Sequence, residues 1–157
     1  RWTGARLLGG ALAAALVSAV GGALALAGVW CTTQKADSSF ERQAGEVWSR
    51  NLWNMFPDKD EVRVLACVHA ACALQAFVIC GAGLCGRLRA WSAAVSAASA
   101  GALAGAAAAA DLAVFGQAMG GLLPRAVGGL PLRPGAGYVG EWIALGAAML
   151  CSALGLA

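Results

Sequence analysis

The sequence predicts an all-α integral membrane protein in which four transmembrane helices form one domain over residues 1–157. An amphipathic interfacial helix is predicted between the first and second spans. Hydrophobic residues make up 60% of the chain and charged residues 12%, with a mean hydropathy of +0.70; soluble domains carry about a quarter charged residues. Four apolar stretches, 7–30, 64–86, 91–116 and 138–157, approach or exceed the roughly 20 residues that cross a hydrocarbon core. Between the first two, the segment from Cys31 to Glu61 carries four basic and six acidic residues, so polarity is concentrated in one loop.

In the first span Gly10, Ala14, Ser18 and Gly22 recur every four residues and form a narrow stripe of small side chains, the pattern that lets helix backbones approach closely in lipid. The span is too long for a secretory signal core. The chain opens on Arg1 rather than Met, which gives the expectation of a cleaved organelle-targeting presequence; N-terminal sequencing of the native protein checks it.

In the polar loop, Ser38 followed by Glu41 has the spacing of a capping box, and Pro57 ends the run. Phe40, Val47, Trp48, Leu52 and Phe56 return at helical spacing. They predict a helix over about 39–56 whose apolar face lies among lipid headgroups or on a partner subunit, with Trp53 beside it. Trp30 and Trp91, at span ends, are expected in the aromatic belts.

The second and third spans are joined by a tight turn containing Arg87 and Arg89. From Ala93 to Ala110 the third span has Val95 and Leu103 as its only large side chains, with Gly101 and Gly105 four apart. So slender a helix is expected to be enclosed by others, with the first span as its natural partner. The loop 120–137 that follows is rich in Gly and Pro, which excludes a long helix or regular strand. Arg1, Arg6, Arg87 and Arg89 place the termini and the tight turn on the positive-inside side and the two longer loops opposite.

Three ionisable residues fall within the spans, where charge is costly and usually faces protein, water or a ligand: His69, Asp111 and Glu141. Arg63 is a candidate partner for either carboxylate. His69, Gln75 and Glu141 are the candidate cofactor ligands, with bound lipid or a pigment as the classes that fit. Five of the six cysteines lie in or at the ends of spans as small packing groups, and no CxxC pair marks a metal site. The sequence has no glycine-rich phosphate loop, no adjacent nucleophile and base, and no basic nucleic-acid face, so no catalytic residue, nucleic-acid partner or soluble small-molecule substrate is expected.

The function expected from these features is that of a non-catalytic accessory subunit in an organellar respiratory or photosynthetic assembly, at a mitochondrial inner or thylakoid membrane. Its partners would be membrane lipid and other integral membrane subunits. A second reading comes from "RNLW" at 50–53 and "GYVGEW" at 137–142, together with the large first loop, tight basic turn and modest last loop. In these features the chain resembles claudin and amastin-like four-span surface proteins, and that resemblance implies self-association at the plasma membrane. The chain departs from that pattern in having Cys31 alone in the first loop, where the family has a cysteine pair, and in a loop periodicity that reads as helix where claudins have strands.

Overall fold

A computed structural model describes residues 4–33, 49–51, 60–122 and 132–157. Its helices are α1 (Gly4–Ala27), α2 (Asp60–Leu84), α3 (Ala90–Leu122) and α4 (Ala136–Leu156), each long and apolar enough to cross a membrane. Three short strands, β1 (Val29–Thr33), β2 (Ser49–Asn51) and β3 (Leu132–Pro134), form an antiparallel sheet in the order β2-β1-β3. The chain is therefore a multi-pass membrane protein: a four-helix bundle with a small sheet at the end where α1 finishes and α2 and α4 begin.

The bundle is a square. α1 packs on α2 and α4, and α3 packs on the same two from the opposite corner. The expected pairing of the first and third spans is thus corrected, since α1 and α3 lie diagonally. The small residues of each are used instead against α2 and α4. A Cβ on Gly21 would lie 2.6 Å from the Ala144 Cβ and 2.7 Å from the Gly140 carbonyl oxygen of α4. On Gly22 it would meet His69 and Ala70 of α2 at 3.3 Å, and on Gly101 the Ala148 carbonyl oxygen of α4 at 3.0 Å. Gly10 faces the flexible end of Leu154, and Ala14 is buried in the core.

These distances separate glycines that must remain glycine from those that need not. Gly105 has ordinary room, with the nearest atom 3.7 Å from its would-be Cβ. Gly105→Ala is expected to leave stability unchanged or raise it by up to about 1 kcal/mol through helix propensity. Gly21→Ala forces apart two backbone-anchored groups and is expected to cost about 1–3 kcal/mol. Unfolding of both variants by denaturing detergent in mixed micelles measures the contrast.

The bulky residues point the other way. Leu16, Val17, Val20 and Leu24 of α1, Val64, Leu74 and Val78 of α2, and Ile143, Met149 and Leu150 of α4 are exposed, forming an outer surface suited to acyl chains. Inside, alanine dominates, which allows close approach of the helices.

Over Ser49–Asn51 the sheet replaces the expected interfacial helix. Ser49–Asn51, inside the range 39–56, is strand rather than helix: Val29 pairs with Asn51, Cys31 with Arg50 and Thr32 with Ser49. The physical reason is tertiary. The β-branched and aromatic strand "VWCTT" leaves the bundle with open backbone donors and acceptors, and pairing with a second segment satisfies them, overriding the local helical periodicity. Phe40, Val47, Trp48, Leu52, Trp53 and Phe56 lie outside the described residues.

The last loop joins the same sheet through Leu132–Pro134, which corrects the expectation that it holds no regular strand. Cys31 pairs with Pro134, Thr32 with Arg133 and Thr33 with Leu132. β3 is an edge strand, the place where a proline that cannot donate to a ladder is tolerated. The Gly135 N–H donates to the Trp30 carbonyl at 2.8 Å, closing the sheet onto the start of α4.

Between Val29 and Cys31 the β1–β2 register slips, leaving Trp30 as an extra residue, and such bulges re-aim side chains. Trp30 is accordingly fully buried rather than in an aromatic belt, which corrects that expectation. Its ring packs on Phe115 with centroids 4.9 Å apart and on Tyr138 at 6.2 Å. Trp91, by contrast, is 78% exposed at the start of α3.

Candidate functional site

One polar side chain from each helix enters the bundle interior: Ser18 from α1, His69 from α2, Asp111 from α3 and Glu141 from α4. All four are at most 1% exposed. Burial of this kind within a membrane span marks a functional candidate, because each group must be matched by protein or by a ligand.

Three of the four form a chain of hydrogen bonds. The His69 Nδ1 lies 2.9 Å and 3.1 Å from the two Glu141 carboxylate oxygens, and its Nε2 lies 3.2 Å from Ser18 Oγ. Ser18 Oγ also donates to the Ala144 carbonyl at 3.0 Å. The donor roles follow from these contacts. A hydroxyl has one hydrogen. With that hydrogen on Ala144, Ser18 Oγ accepts from Nε2–H while Nδ1–H donates to Glu141. In this arrangement Nδ1 and the Glu141 carboxyl share one hydrogen between them, and the pair as a whole carries no net charge.

Asp111 is different. Neither of its carboxyl oxygens has a hydrogen-bond partner among the described residues, although the residue is fully buried.

The layer is closed on both sides by apolar packing. Toward the sheet stand Ala25, Trp30, Val62, Ala66 and Phe115, with Tyr138 against them. Away from it, Ala73, Ala104 and Ala148 pack together, followed by a larger cluster built on Leu8, Cys80, Ala97 and Cys151. There the Cys151 thiol points at the Ala97 carbonyl, 3.9 Å away.

The serine, imidazole and carboxylate follow the order of a nucleophile, base and orienting acid, a set that the sequence by itself does not display. The Ser18 hydroxyl hydrogen is directed to Ala144, however, and the backbone N–H groups nearby are committed within helices. What the arrangement provides chemically is a charge-balanced polar tie among α1, α2 and α4. Among the described residues no group of three His, Cys, Asp or Glu side chains is placed to hold a metal ion.

The remaining candidates from the sequence fall elsewhere. Gln75 is exposed on the outer face of α2, while His69 and Glu141 bind each other, so the three do not converge. Arg63, a candidate partner for Asp111 or Glu141, pairs at 3.1 Å with Asp60, one turn before it on α2, and neither Asp111 oxygen accepts a hydrogen bond from it. A pairing three residues apart on one helix face is available locally, whereas both interior carboxylates lie in the closed layer. Ser18 is the member that sequence reasoning took as a packing residue. It occupies the small-residue stripe as Gly10 and Gly22 do, and the signal that distinguishes it is its hydroxyl, since serines at such positions also bond across helices.

Ser18→Ala is expected to cost about 0.6 kcal/mol, the typical worth of an interhelical hydrogen bond in a membrane protein, and up to about 1.7 kcal/mol if its two contacts act together. The Gly21→Ala assay serves here too. No family model, curated protein or solved structure matches the chain.

Proposed function

We propose that this chain is a non-catalytic four-span surface membrane protein of claudin- and amastin-like plan. In this reading it lies in the plasma membrane with its sheet-bearing end outward and works by association with copies of itself. The observation that carries the reading is the sheet: a strand from the first loop pairs with one leaving α1 and with one from the last loop. The resemblance noted in the sequence calls for strands in the first loop, and helical periodicity there was one of its two departures. The lone Cys31 is the other.

The accessory-subunit reading rests on small-residue faces awaiting a partner. Within the bundle those faces are occupied by α2 and α4, and the outer surface carries bulky aliphatic side chains suited to lipid. The support for an organellar assembly is correspondingly reduced.

Purification of the full chain in mild detergent, followed by native mass spectrometry and chemical crosslinking in cells, tests the proposal. Homo-oligomers of this chain at the plasma membrane are the expected result. Stoichiometric co-purification with the subunits of a respiratory or photosynthetic complex would overturn it.

A further inference from the structure

We propose that Asp111, together with the Ser18–His69–Glu141 chain, forms an intramembrane proton-binding site in which Asp111 carries one exchangeable proton. The argument begins with charge. Nδ1 of His69 is within hydrogen-bond distance of both Glu141 oxygens, and Nε2 meets a serine whose hydrogen is used elsewhere, so the pair neutralises itself. Among the described residues no cation is hydrogen-bonded to the second carboxyl group, Asp111.

The groups around Asp111 are accounted for helix by helix. α1 offers the neutral Ser18, α2 offers His69, which is engaged with Glu141, and α4 offers Glu141, which is engaged with His69. Arg63 on α2, nearer the sheet end, is bonded to Asp60. An ionised Asp111 would therefore be a fully buried charge with both oxygens lacking a hydrogen bond among the described residues. A buried charge without a partner is the costliest arrangement in a low-dielectric interior, and a carboxyl so placed takes up a proton instead.

The four residues differ in what they do. Asp111 is the proton carrier. Glu141 and His69 form a fixed dipolar neighbour that sets the field at Asp111, and Ser18 positions the imidazole. The aromatic group of Trp30, Phe115 and Tyr138 stands between this layer and the sheet end, and alanines stand on the other side, so exchange with solvent requires the packing to open. The site is independent of whether the protein self-associates.

Infrared spectroscopy of the full chain in phosphatidylcholine vesicles at neutral pH tests it. A buried carboxylic acid gives a carbonyl stretch separate from the amide and carboxylate bands. The expected result is that such a band is present, moves when the carboxyl carbons of aspartate are carbon-13 labelled, and stays put when those of glutamate are labelled. The other aspartates of the chain are Asp37, Asp58 and Asp60, so the Asp111→Asn variant assigns the aspartate band among the four. The band is expected to vanish in Asp111→Asn, whose neutral amide should leave the unfolding midpoint close to wild type. Absence of the band, its movement with the glutamate label, or its persistence in Asp111→Asn would overturn the proposal. In the wild-type protein the labels still separate aspartate from glutamate if the variant fails to fold.

Discussion

Glu141→Ala is expected to lower the stability of the bundle by about 3–5 kcal/mol, the cost of breaking a buried ion pair by removing one partner. The carboxylate holds Nδ1 of His69 through both oxygens, and the same imidazole reaches Ser18, so one truncation releases the contacts that tie α4 to α2 and leaves α1 bonded to a poorly held ring. The loss is not the worth of the pair. It is chiefly the penalty of leaving the buried His69 ring without the group that satisfies Nδ1. Glu141→Gln keeps the volume and a hydrogen-bond acceptor but loses the charge, and should fall between wild type and Glu141→Ala. A double-mutant cycle with His69→Ala, measured by denaturing-detergent unfolding, should show strong coupling. Additive losses from the two single variants would mean that the residues are merely adjacent.

Trp30→Ala is expected to cost about 3–5 kcal/mol, in the range for emptying a large aromatic from a packed interior. Trp30 unites the sheet and the bundle. Its Nε1–H donates to the Ala25 carbonyl at 2.6 Å, its ring packs on Phe115 of α3 and Tyr138 of α4, and its own carbonyl accepts from Gly135. Gly137 fits against the ring so closely that a Cβ there would come within 2.6 Å of it. Trp30→Phe retains a ring and loses the N–H, and should cost less. Hydrogen exchange supplies a local readout: in Trp30→Ala the Gly135 amide should lose protection before the amides in the middle of α4. Unchanged protection would show that the sheet is held without the indole.

The spans were legible because lipid imposes a coarse rule. A segment of about 20 apolar residues has few alternatives to a membrane helix, and the four predicted stretches each fall largely within one of the four helices. The loop was misread for the opposite reason. The helical periodicity of the residues flanking 49–51 is a local property, whereas a strand is stabilised by a partner distant in sequence, here β1, and no local pattern reports that partner. Ser18 shows the same limit inside the membrane. It lies 51 residues from His69, which lies 72 residues from Glu141, so their hydrogen bonds exist only after three helices have packed. Asp111 and Glu141 could be singled out as costly in lipid, but which of them is bonded and which is left without a partner depends on helix rotation.

The amino-acid sequence by itself determined that this chain crosses a membrane four times, that its first and last loops emerge at the same end, and that its helices are slender enough to pack closely. Those properties follow from composition, length and connectivity, which act on each segment separately. Tertiary structure alone decided that α1 and α3 sit on a diagonal, that the two loops share one sheet with Trp30 turned inward, and that three isolated polar residues bond to one another while Asp111 is buried without a hydrogen bond among the described residues. The physical reason is that a polar group in hydrocarbon is defined by what it faces, and rotating a helix about its axis changes that without changing any residue.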